Sequence, residues 1–158
     1  MEQQFDLIRK TRTLFLKLVD GLSIEELNEI PEGMSNNIAW NFCHIVAAQQ
    51  GLCNGLSGVA MNVIPESITD FKKGTKPERF ISKEEIDQFK EYMVSNIDTL
   101  EKDIKSGDVF TKYQSYTTTY GYPLNDINDA IRFFAVHDAL HLGYAMAIRK
   151  LITSKITT

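Results

Sequence analysis

Three histidines are the residues of this chain best placed to do chemistry. His137 and His141 stand four residues apart, and His44 lies alone in a second apolar stretch. Residues at i and i+4 lie one above the other on a helix face. The face through His137 and His141 also carries Ile127, Ile131, Phe134, Ala145 and Ile148, so two imidazoles point where a core is expected. A buried imidazole is unfavourable unless its polar nitrogens find partners. Two arrangements meet that demand. Both histidines are core residues satisfied by hydrogen bonds, or they converge on one metal ion with His44 as the third leg of a tripod. Three neutral nitrogens leave positions for water, the open pattern of catalytic rather than structural sites. Zinc and nickel stand ahead of iron(II) as candidates, although all three accept imidazole and ligand type alone does not choose among them.

Few other residues join this group. Asp138 follows a ligand candidate but is rotated by about 100° from it on a helix, which reads as a surface carboxylate or one standing behind a ligand. Asn41, one turn before His44, suits a hydrogen bond to an imidazole or a bound water, or plain helix-packing polarity. Trp40 reads as a core or interface anchor rather than a platform for substrate. No further carboxylate lies at a helical offset from the histidines. That weakens a hydrolytic reading, leaves room for thiol transfer, and leaves the catalytic general base unassigned. Cys43 and Cys53, if on one helix, are roughly 15 Å apart, too far for a disulfide, and read as small buried hydrophobes.

The elements that must position these residues are helical. Leu7, Thr11, Leu14 and Leu18, with Ile8, Phe15 and Val19 beside them, predict an amphipathic helix from Glu2 to Asp20, stopped at Gly21. Ser23 and Glu26 have the spacing of a capping box. A second helix starts at Ser35 or Asn36 and runs through Ile38, Phe42, Ile45 and Leu52 to Gly55 or Gly58. Its small polar face holds Asn37, Asn41, His44 and Ala48. Periodicity stops from Gly58 to Phe80, which suggests a lid, a binding loop or a plain crossover. Ser82 and Glu85 open a third long helix through Ile86, Phe89, Met93, Ile97, Leu100 and Ile104, ended by Gly107. Tyr113, Tyr116, Tyr120 and Tyr122 then either line a pocket or cover a helix end, around a short extended Thr117–Tyr120 segment. Pro123 and Asn125 open the last helix, with Arg149 and Lys150 in its last turns.

Four long amphipathic helices, with a long crossover between the second and third, predict an all-α four-helix bundle forming one domain over residues 1–158. Such bundles often build metal sites from facing helices. With 158 residues, a 43% hydrophobic content and a net charge of −4, the chain supports a sizeable core. The acidic balance argues against nucleic acid and against an anionic membrane surface. No signal peptide and no membrane-length apolar run is visible, which predicts a cytoplasmic protein.

Asn36-Asn37-Ile38-Ala39-Trp40-Asn41-Phe42-Cys43-His44-Ile45 and His137-Asp138-Ala139-Leu140-His141-Leu142-Gly143, with the helix order and the long crossover, resemble the DinB/YfiT-like superfamily of bacterial four-helix-bundle proteins. The resemblance covers nearly the whole chain. It implies a metal site at one end of the bundle with His44, His137 and His141 as ligands, and a homodimer. It also implies a metal-dependent hydrolase or thiol-dependent transferase acting on an unidentified small molecule. The alternative is a non-enzymatic bundle that binds a metal or small molecule in a stress response. The superfamily's name refers to DNA-damage induction and implies no DNA binding.

Overall fold

A computed structural model describes residues 1–154; the final four residues of the expected domain lie outside the described residues. The helices in chain order are α1 (Glu2–Asp20), α2 (Ile24–Asn28), α3 (Ile38–Gln49), α4 (Pro65–Phe71), α5 (Lys83–Ser106) and α6 (Ile127–Ser154). A two-residue ribbon, β1 (Tyr116–Thr117) against β2 (Pro123–Leu124), is antiparallel. The four long helices close a ring: α1 packs on α6, α6 on α3, α3 on α5 and α5 on α1. This is the expected all-α bundle. None of the described helices is long and apolar enough to cross a membrane.

Local chemistry sets the helix ends. Ser23 and Glu26 form the reciprocal capping box at α2. The Ser82 side chain accepts from the Glu85 amide at the start of α5, and Gly107 ends that helix with φ +82°, a backbone that costs glycine little. The cap of α3 is Asn37, whose side chain accepts from the Trp40 amide, one or two residues later than expected. Regular α structure then stops at Gln49. The chain widens into a π turn over Gln50–Asn54, tightens into a 3-10 turn over Gly55–Ser57, and leaves through Gly58 at φ +67°.

Three expectations need correction. The core stripe of α1 runs through Phe5, Ile8, Arg12, Phe15 and Val19, with Thr11 and Leu18 buried beside it as expected, whereas Leu7 and Leu14 are 52% and 56% exposed. Helical spacing of 3,4,3,4 runs through the arginine, so the true stripe looks interrupted and its neighbour looks cleaner. The aperiodic stretch contains α4, with Pro65 in its first turn and Ser67 and Phe71 buried; seven residues are too few for a periodic signal. Pro123 does not open α6. It pairs with Thr117 in the ribbon, and Asp126 caps the helix by accepting from the Asp129 amide. The helix then runs on to Ser154, which leaves no basic residue in its last turn.

Candidate metal centre

α3 is buried on nearly every side, because α2, α4, α5 and α6 all pack on it. A histidine on such a helix must meet another element. His44 meets α6, and the rings of His44, His137 and His141 gather with centroids 5.2, 4.5 and 4.6 Å apart in the three pairs. One nitrogen from each ring lies within 4.8 Å of the others. The three are thus positioned to bind a metal ion.

The second nitrogen of two rings is already committed. His44 Nδ1 lies 2.5 Å from the Phe71 carbonyl oxygen at the end of α4. A carbonyl only accepts, so Nδ1 carries the proton and Nε2 of the neutral ring carries the lone pair. His141 Nδ1 lies 2.8 Å from Asn41 Oδ1. The Asn41 amide cannot be turned round, because its Nδ2 donates to the Asn37 carbonyl at 2.7 Å and to Asn36 Oδ1 at 3.2 Å. His141 is therefore also protonated on Nδ1 and unprotonated on Nε2. His44 Nε2 faces His137 Nε2 at 3.3 Å. Two ligands at about 2.0–2.1 Å from a tetrahedral zinc stand about 3.3–3.4 Å apart, so the spacing of this pair fits such an ion.

Behind His137 lies a buried ion pair. Arg12 is 2% exposed and Asp138 0%, and Arg12 Nε donates to Asp138 Oδ2 at 2.8 Å. Arg12 Nη1 also donates to the Met93 carbonyl at 3.1 Å, which ties α1 to α5 and α6. The other carboxylate oxygen, Oδ1, has no hydrogen-bond partner, and neither does His137 Nδ1. The two stand 3.6 Å apart, too far for a hydrogen bond and within one small ring movement of it. Asp138 is thus no surface carboxylate.

Electrostatics keep two of the three rings, His44 and His141, neutral when metal-free. Burial, then the neighbouring His137, lowers the pKa of His44 to about 4. Burial, then His137 and His44, lowers that of His141 to about 3. Both rings therefore offer lone pairs at neutral pH without first losing a proton. Burial alone would raise Asp138, but the Arg12 guanidinium and the His137 imidazole outweigh it and hold the carboxyl below its ordinary value. Cys43 and Cys53 are free, buried and raised by desolvation, as expected of inert core thiols.

The cluster opens into a cavity of about 470 Å³. Trp40 lines it while stacking on His44 with centroids 4.6 Å apart and planes 11° off parallel. Trp40 is thus a wall of the site as well as the core anchor expected. Of the four tyrosines, Tyr116 and Tyr120 line the cavity.

The three histidines and Asn41 stand where the sequence suggested. Arg12 was missed, although a charged residue at a core position of a 3,4,3,4 stripe is a readable signal. The Phe71 carbonyl was missed with no signal available, since any residue has one.

No functionally curated protein matches the sequence. The crystal structure of a conserved protein from Enterococcus faecalis is similar in fold, with TM-score 0.69 and 10% identity over 97% of this chain and 96% of that one. The DinB superfamily profile matches residues 7–145. With most of its length matched, the chain belongs to the DinB superfamily.

Proposed function

We propose that this protein is a metal-dependent enzyme whose divalent ion is held by His44, His137 and His141, and that its reaction is a thiol-dependent transfer. One observation carries the reading: hydrogen bonds fix Nδ1 protonation on two rings and leave their Nε2 lone pairs free, in a cluster where one nitrogen of each ring lies within 4.8 Å of the others. The Asp138 carboxylate beyond His137 Nδ1 favours the same tautomer there. Zinc or nickel suits the donor set first, and iron(II) after them. Such an ion supplies Lewis acidity, lowering the pKa of a bound water or thiol.

Transfer is favoured over hydrolysis because the cavity lining holds no aspartate or glutamate to serve as general base. In the transfer, a thiol sulfur forms the new bond to an electrophilic carbon. The carbon's leaving group departs with the bonding pair, and the thiol proton passes to solvent. Trp40, Phe133, Tyr116 and Tyr120 shape the space for the electrophile. The competing reading is a bundle that binds metal or a small molecule without turnover.

Metal analysis of protein purified without a histidine tag tests the site. About one ion per chain is expected, and repeated metal-free preparations that also fail to take up zinc would overturn it. Turnover of electrophile-plus-thiol pairs, set against esters and amides, separates transferase from hydrolase and from binding protein.

We also propose a homodimer in a cytoplasmic setting. Val136, Leu140, Tyr144 and Leu151 are exposed on one face of α6, an apolar stripe suited to a second copy. The two unpaired buried cysteines accord with a reducing compartment. Light scattering at several concentrations checks the dimer, and Leu140→Glu should shift it to monomer.

A further inference from the structure

We infer that the cavity beside the histidines accepts a substrate with an apolar, preferably aromatic, body and an anionic group seated at Lys72 and Lys73. The chain carries a net charge of −4, yet among the described residues the only formally charged ones lining this cavity are Lys72 and Lys73. Both are exposed, directly after α4, and neither has an ion pair with any described residue, whereas Arg79 on the same crossover pairs with both Asp70 and Glu85. Beyond the histidines, Thr118 and Thr119, the wall is largely apolar or aromatic, with Trp40, Leu52, Leu56, Ile68, Phe133 and Tyr120 among its residues. An apolar wall with a few convergent polar groups is the usual build of a small-molecule site, and this one has the usual volume. Two unpaired ammonium groups at its rim raise the local concentration of anions and select against cations.

This assignment deepens the proposed function. It rests on that reading for the reaction but not for binding, so it is tested on metal-free protein. The probes are phenylbutyrate, its neutral amide phenylbutanamide, and phenylbutylammonium, with binding read from the fluorescence of Trp40, the single tryptophan. At neutral pH and low salt, phenylbutyrate should bind about fivefold tighter than the amide, from two partly exposed ion pairs. The cation should bind weakest. The preference should shrink as salt is raised and vanish in Lys72→Gln/Lys73→Gln, whose fold is checked by circular dichroism.

Equal binding of acid and amide, a preference that survives in the double variant, or no binding by any of the three probes would overturn the assignment. Loss of zinc binding in the metal analysis would instead overturn the histidine site and leave this result standing.

Discussion

Along α3 and the wide turn that follows it, the chain buries polar side chains in two places. At Gln49, Gln50 and Asn54, amides peg the start of the crossover: Gln50 Oε1 accepts from the Asn62 amide at 2.6 Å, and Asn54 Nδ2 donates to the Ala60 carbonyl at 3.0 Å. Asn96 on α5 exchanges hydrogen bonds with Asn62 at 2.8 and 3.1 Å. Gln49 Oε1 is the one fully buried side-chain atom of this group left without a partner. Two turns earlier the histidines differ. Two of the three outer nitrogens, those of His44 and His141, are tied down, and the inner nitrogens of His44 and His137 stand 3.3 Å apart. A closed network supports a chain path; an open one with fixed tautomers is built to receive something.

That contrast breaks most visibly at the metal. His44→Ala should abolish stoichiometric zinc binding, while Gln50→Ala keeps it; equal zinc content in both would erase the distinction. Next in size is the ion pair behind His137. Arg12→Met leaves the Asp138 carboxylate buried and uncompensated, and should lower unfolding free energy by about 3–5 kcal/mol in urea titrations. Arg12→Met/Asp138→Leu should recover most of that loss while zinc affinity stays weaker, which would separate the support of the fold from the support of His137.

Acid should act on the histidine group and spare the amides. Unfolded, these imidazoles take up protons near pH 6.5, but folded His44 and His141 do so only near 4 and 3. Between those values the unfolded chain binds more protons, so stability rises with pH. Lowering pH from 6.5 toward 4 should destabilise metal-free protein by about 1.4 kcal/mol per pH unit for each ring that stays neutral. Denaturation across that window should show the slope, and His141→Leu should flatten it; an unaltered slope would assign it elsewhere. The smallest expected change sharpens the contrast from the other side. Asn96→Ala should cost about 1–3 kcal/mol of stability with zinc affinity unmoved, whereas Asn41→Ala should weaken zinc by about 10–100-fold in competition with a chelating dye.

The legibility of these two groups in the sequence differs for a physical reason. His137 and His141 announce themselves because helical periodicity is regular and histidine is rare here. His44 and Asn41 followed because they share a polar strip on an otherwise greasy helix. Arg12 hid because a charge in a core position breaks the pattern used to find the core, and Leu7 and Leu14 supplied a tidier false one. Helix α4 hid because its seven residues, about two turns, are too few to show a period. For Asp138 the sequence leaves the surface and a place behind a ligand both open, because its angle from His137 is visible there while its partner on α1 is not.

The contact between His44 and the Phe71 carbonyl has a consequence for how this site tolerates change. The orientation of His141 is stored in the identity of one residue, Asn41, and a single codon can erase it. The orientation of His44 is stored in the route of the backbone at the end of α4. No side-chain replacement at position 71 deletes that acceptor. Insertions, deletions or displaced turns between α3 and α5 would erase it, even where every histidine is retained. Two imidazoles of one cluster are thus exposed to different kinds of genetic damage, substitution for one and length variation for the other.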